Sequence, residues 1–200
     1  MDSRRTRIYV VRHGETEENL LGIHQGRGVE GRLSPQGIDD AVSLATRLSA
    51  VRFNAMYTSP AGRATATADI LADRLRPGSV IRDQRLAAKD SGCLSGRRRD
   101  LIEQEAARAG TPIHLFKTLG GESSVDVQDR HASLWGQVSR IPGTFLLVGH
   151  GAGIACLLLH LTGQGFDRFP DYVHGSAHRS VIDVSGSGHR VIELNAPPHT

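Results

Sequence analysis

Short runs of aliphatic and β-branched residues alternate along the chain with longer stretches whose apolar positions recur every three or four residues. The first run, Ile8-Tyr9-Val10-Val11, predicts a buried strand. Ser34-Pro35 predicts a helix start, with Ser34 as N-cap, Pro35 in the first turn, and Ala41, Leu44, Ala45 and Leu48 along one face. Residues 53–58 read as a second strand ending at Ser59-Pro60, a second cap-plus-proline signal. Residues 61–75 read as an alanine-rich helix closed by Pro77-Gly78. Val80-Ile81 reads as an edge strand, and 97–108 and 122–138 as helices. The clearest later strand, 144–148, runs into Gly149-His150-Gly151 and an apolar helix to about Leu161. Runs at 180–184 and 191–194 flank Gly186-Ser187-Gly188 as a hairpin, and 196–200 reads as a frayed tail. Strands alternating with helices predict an α/β fold: a three-layer sandwich with a mostly parallel central sheet flanked by helices, in one domain over 1–200.

Composition narrows the function classes. The 200 residues carry 38% hydrophobic and 22% charged positions, ordinary for a globular protein. Aromatics make up only 4%, which disfavours a nucleic-acid reader that stacks bases on aromatic platforms. A net charge of +3 suits a small anionic substrate better than a long polyanion. Cys93 and Cys156 are too few for a disulfide scaffold or a CxxC zinc site, so reduced thiols and a cytoplasmic location are expected. No apolar stretch approaches a membrane span.

Three predicted strand ends carry related groups. The first ends in Arg12-His13-Gly14-Glu15-Thr16, the second in Ser59-Pro60 with Arg63 shortly after, and the third in Gly149-His150-Gly151. A neutral imidazole is a good nucleophile toward phosphorus, and a guanidinium can grip phosphoryl oxygens as a fork. Gly14 is expected to let the backbone approach a ligand closely. Ligands of open α/β sheets sit at the carboxyl ends of strands, where helix N-termini offer free N–H groups. Arg12, His13, Arg63 and His150 are therefore the expected catalytic set.

The chain resembles the histidine phosphatase superfamily, the phosphoglycerate-mutase-like enzymes with an Arg-His-Gly motif. The matching stretches run in family order. They are residues 12–16 with Asn19, Gln25-Gly26, Leu33-Ser34 with Gly37, Thr58-Ser59-Pro60 with Arg63-Ala64 and Thr67-Ala68, Gly121-Glu122-Ser123, and Val148-Gly149-His150-Gly151. The resemblance implies that His13 attacks phosphorus in line and becomes a phosphohistidine, which water hydrolyses. Arg12, Arg63 and His150 would bind the equatorial oxygens, with Asn19 as a further donor and Gln25, Gly26 and Gly151 on the substrate. Such charge stabilisation calls for no metal or other cofactor.

One departure bears on mechanism. The resemblance places a general-acid glutamate two residues after a leucine, but here Leu86 is followed at that position by Ala88. Loss of a general acid costs about 10²–10⁴-fold in rate. Four readings are open. Asp90 or Glu122 could substitute, with Asp90 preferred because it would face the same side as position 88 in an extended segment. Alternatively the substrate has a good leaving group, the alanine was engineered to trap a ligand, or the chain binds phosphate without turnover. The stretch 92–121, with Arg97-Arg98-Arg99, resembles the branch containing TIGAR and the fructose-2,6-bisphosphatases and favours a phosphatase over a mutase.

Several of these residues also have ordinary structural explanations. Glu15 could merely orient Arg12, Glu122 could serve a helix dipole, and the arginine triplet could be a solvated face. His24, His114, His131, His160, His174, His178, His189 and His199 read as surface or core histidines. The expected partner is a small phosphate ester, sugar- or glycerate-phosphate-like, with no nucleic acid and no membrane; a homodimer stays open.

Overall fold

The computed structural model describes residues 5–112 and 115–199, so His114 and Thr200 lie outside the described residues. In chain order the elements are β1 (Thr6–Arg12), α1 (Glu17–Leu20), β2 (Ile23–His24), α2 (Pro35–Arg47), β3 (Ala55–Thr58), α3 (Gly62–Leu75) and β4 (Val80–Arg82). After two short 3₁₀ turns follow β5 (Arg97–Arg98), α4 (Arg99–Arg108), α5 (Ser124–Val138) and β6 (Gly143–Gly149). The chain ends with α6 (Gly151–Thr162), α7 (Phe169–Tyr172), β7 (Arg179–Ser185) and β8 (Gly188–Ala196).

The main sheet has the order β4-β3-β6-β1-β7-β8. Its first four strands are parallel, and β7 and β8 add an antiparallel edge. Side chains of a strand alternate between faces, and β1 and β6 use both faces for burial. Ile8, Val10, Phe145 and Leu147 pack with Leu134, Trp135 and Val138 of α5 and Ile154, Leu157 and Leu158 of α6. Tyr9, Val11, Leu146 and Val148 pack on the opposite face with Leu44 and Ala45 of α2 and Ala64, Ala68 and Leu71 of α3. The result is helix, sheet, helix, with the mostly parallel sheet in the middle. Among the described residues, no helix is long and apolar enough to cross a membrane.

Several element boundaries differ from the sequence reading, each for a local reason. Ser34 does cap α2, accepting from Gly37 N at 3.0 Å. Ser59-Pro60 does not start α3; the helix begins at Gly62, whose N–H is accepted by the Glu30 carboxylate instead. The helix predicted from 97 starts at Arg99, because Arg97 and Arg98 pair with β2. Glu122 lies outside α5, whose N-cap is Ser123 in a capping box with Asp126. The tail is tied down at its start: β8 runs through Ala196, Pro197 O accepts from Arg179 at 3.0 Å, and Pro198 is buried.

Candidate active site

The carboxyl ends of three adjacent parallel strands, β3, β6 and β1, deliver the expected groups to one place. Backbone bonds lock the ends together, His13 N to Gly149 O at 3.0 Å and Ser59 N to Val148 O at 2.9 Å. A cavity of about 210 Å³ opens there, lined by Arg12, His13, Asn19, Gln25, Gly26, Arg63, His150 and Gly151 together with His24, Ala88, Lys89 and Arg99. All eight residues expected to catalyse or bind substrate thus share one pocket.

His13 is buried, and its Nδ1 lies 2.7 Å from Gly14 O, so Nδ1 carries the proton and Nε2 keeps the free lone pair. Burial first, then the Arg12 and Arg63 guanidinium groups, hold His13 well below the ordinary imidazole pKa. The ring is therefore neutral at neutral pH. His150 stacks edge-on at a centroid distance of 5.2 Å and is held low by burial and by His13 and Arg63, so it too is a neutral imidazole. Its Nε2 bonds Ser59 Oγ at 2.8 Å, which explains the serine at the end of β3: it orients a histidine rather than capping a helix.

The two arginines are anchored differently. Arg12 donates one Nη to His174 O at 2.6 Å. Arg63, in the first turn of α3, donates to the carbonyls of Val29 and Gly26 at 2.7 and 2.9 Å and to Glu30 O at 3.1 Å. It therefore pins the loop 26–30 while presenting positive charge, and burial draws its pKa down to about 10. Arg12 Nε, Arg63 Nε and His150 Nδ1 are buried and have no hydrogen-bond partner among the described residues. Orphaned buried donors are costly unless something else satisfies them. Asn19 Oδ1 accepts from Thr16 N in the capping box of α1, leaving its amide nitrogen for the pocket. Gln25 donates to Thr16 Oγ1 at 2.8 Å. At the start of α6, His150 is the N-cap without a side-chain cap, and Gly151 and Ala152 line the cavity.

Some expectations need correction. Gly14 does not clear space for a ligand: a Cβ there would lie 2.5 Å from Gly37 O, so its role is to seat α2 against the loop. Glu15 is not paired with Arg12; its carboxylate accepts from Ser34 Oγ at 2.8 Å. Neither Asp90 nor Glu122 lines the pocket. Asp90 Oδ1 accepts from Gly92 N at 2.8 Å, as the acceptor of a local turn. Glu122 is held by Arg27 at 2.8 Å, by Arg130 at 3.0 Å and by Asp90 N at 2.9 Å, which explains an acidic residue there without helix-dipole chemistry. Position 88 does face the pocket, and it is alanine. Among the described residues, no carboxylate lines this cavity.

Sequence reasoning missed Gly22, Ile23, His24, Lys89, Ala152 and Val173 as pocket residues and read Arg99 only within the arginine triplet. All three arginines of the triplet are exposed, and of the three only Arg99 lines this pocket. Among the described residues, no group of three His, Cys, Asp or Glu side chains is placed to hold a metal ion.

The histidine phosphatase superfamily (branch 1) matches residues 8–197, and the chain belongs to it. A Cronobacter sakazakii protein named "Probable phosphoglycerate mutase GpmB" is 35% identical over 164 residues, covering 78% of this chain and 74% of that one. A 2,3-bisphosphoglycerate-dependent phosphoglycerate mutase of Brucella canis is 31% identical, covering 78% and 81%. Among solved structures, Bacillus stearothermophilus YhfR superposes with a TM-score of 0.86 at 29% identity, covering 97% of this chain and 98% of that one. The mycobacterial glucosyl-3-phosphoglycerate phosphatase superposes with a TM-score of 0.81 at 26% identity, covering 96% and 100%.

Proposed function

We propose that this protein hydrolyses a small phosphate monoester through a phosphohistidine at His13. The observation that carries the reading is the convergence of a tautomer-fixed, neutral His13 with two buried guanidinium groups and a second imidazole in one pocket. His13 Nε2 attacks phosphorus, the N–P bond forms, and the P–O bond to the leaving group breaks with its electron pair on oxygen. Arg12, Arg63 and His150 donate to the equatorial oxygens, and their placement before the reaction avoids reorganisation at the transition state. Water then attacks phosphorus from the opposite side, the N–P bond breaks, and orthophosphate and a proton are released. The mycobacterial phosphatase supports hydrolysis; the mutase names of the sequence relatives favour transfer to a second hydroxyl as the alternative.

Ala88 favours a further alternative, a phosphate-binding protein without turnover. Phosphate release from an aryl phosphate and from a panel of sugar and glycerate phosphates separates these readings. Hydrolysis by the unaltered chain, lost by at least about 10³-fold in His13→Ala, is the expected result. Release unchanged by His13→Ala would sink the mechanism. Phosphate appearing only on an added acceptor would favour the transferase, and silence on every ester would favour the binding protein.

A further inference from the structure

Beside the phosphate pocket lies a second chamber of about 430 Å³, sharing His24, Lys89, Arg99, Ala152 and Val173 with it. Its volume falls within the roughly 300–1,000 Å³ of small-molecule sites. The remaining wall is contributed largely by Ile102 of α4 and by Phe169 and Pro170 of α7. Ser91, Glu103 and Ser124 also reach this wall, and Ser91 Oγ is engaged by His24 Nε2 at 2.6 Å. The carboxylate on the chamber wall, Glu103, is exposed and lies 4.0 Å from Arg99. A polyhydroxylated leaving group seated here would turn hydroxyls toward Ile102, Phe169, Pro170 and Val173, leaving polar groups without partners. A flat apolar group would not.

Two further observations point the same way. Position 88 supplies no acid, and among the described residues no carboxylate lines the phosphate pocket, so no carboxyl group is placed to protonate the leaving oxygen. Lys89 lines both cavities, and among the described residues it is within 4.0 Å of no carboxylate. Its ammonium makes one long bond, 3.3 Å to Phe116 O, and keeps two protons for another acceptor.

We infer that the substrate is a phosphomonoester with an aryl-like leaving group of low pKa, whose ring occupies this second chamber while Lys89 donates a hydrogen bond to the departing oxyanion. The inference rests on the phosphatase reading for its chemistry and on the chamber alone for its binding. In the step itself, the His13–P bond forms, the P–O(aryl) bond breaks, and the electron pair leaves as aryloxide. The Lys89 ammonium offsets its charge, and solvent protonates the product after release. A weakly basic oxygen needs no proton in the transition state, which is why an alanine suffices at position 88.

The test has a binding arm and a turnover arm. In the first, benzylphosphonate and methylphosphonate are titrated calorimetrically into the unaltered protein and into Ile102→Trp. The ring should bind about tenfold tighter than the methyl in the unaltered protein, and the bulky tryptophan should erase the difference while leaving methylphosphonate unaffected. Equal affinities in the unaltered protein would overturn the chamber assignment, whatever the turnover results. In the second arm, kcat/KM is measured for aryl phosphates of graded leaving-group pKa and for glycerol phosphate, with the unaltered chain, Lys89→Met and Lys89→Arg. The expected result is aryl preference over glycerol phosphate by about 10²-fold or more, a steeper dependence on leaving-group pKa in Lys89→Met, and recovery in Lys89→Arg. Comparable turnover of glycerol phosphate, or a slope unmoved by Lys89→Met, would overturn the substrate class or the lysine's role respectively. Tight ring-dependent binding with no hydrolysis of any ester would refute the phosphatase reading and the substrate assignment, leaving only the chamber.

Discussion

The phosphate end of the site and its leaving-group side are built on opposite plans. At the phosphate end, each basic side chain is fixed by the framework: His13 by Gly14 O, His150 by Ser59, Arg12 by His174 O, and Arg63 by the carbonyls of loop 26–30. On the other side, Asp90 and Glu122, the two carboxylates expected to substitute for an acid at position 88, are turned away into structural bonds, and the wall is largely apolar. The difference separates two tasks. In the proposed reaction, recognition of the phosphoryl group falls to the ends of three strands, which cannot move without disturbing the sheet, and choice of leaving group falls to loops and short helices that pack on its edge.

The comparison breaks first at Arg63. It is buried, it holds the pocket loop, and it presents charge, so Arg63→Ala should lower kcat/KM by about 10²–10³-fold. It should also destabilise the fold by roughly 1–3 kcal/mol through the abandoned carbonyls, read from denaturant titration. Loss of activity without loss of stability would show that the loop does not depend on it.

Three other histidines, the buried His131 and His174 and the half-buried His24, sharpen the contrast through pH. Burial holds His24, His131 and His174 near a pKa of about 4. Between about pH 4 and 6.5, the unfolded chain takes up protons that the folded chain refuses, so stability rises with pH across this window and is lost on acidification. Each histidine contributes roughly 1.4 kcal/mol per pH unit there, measurable as the pH dependence of the denaturant midpoint. A flat profile from pH 6.5 to 4.5 would contradict the burial of these rings.

On the leaving-group side, Ala88→Glu restores a carboxyl to the pocket wall. It should accelerate hydrolysis of alkyl esters by about 10–10²-fold and leave aryl esters nearly unchanged, as seen in parallel assays. Equal acceleration of both would mean that the glutamate acts through binding and not as an acid. The smallest effect belongs to the scaffold: Ser34→Ala removes the cap of α2 and should cost about 1 kcal/mol in thermal unfolding, with little change in activity.

The sequence was legible wherever function is tied to a strand end. Ile8–Tyr9–Val10–Val11, the β6 run and the β3 run each showed their apolar pattern, and the residue after each run is local information. It misled where one side chain has two possible partners. Ser59 looks like a cap, but His150, distant in sequence, claims its hydroxyl, and Glu30 takes over the helix start. Glu122 looks like a first-turn acid, yet Arg27 and Arg130 decide its position. Gly14 serves Gly37, a contact that only α2 packing creates. β2 and β5 are two-residue strands that pair only with each other, too short to leave a pattern. The second chamber was illegible for the same reason, since its walls come from α4, α7 and the irregular segment at 89–91.

The proposed reaction depends on His13 as the nucleophile. The most direct measurement is rapid acid-free quenching of the enzyme during turnover of an aryl phosphate, followed by peptide mapping and ³¹P spectroscopy. The account predicts an acid-labile, base-stable phosphoramidate on the peptide carrying His13, absent from His13→Ala. Turnover with no such adduct, or a phosphoryl group recovered on another residue, would contradict it.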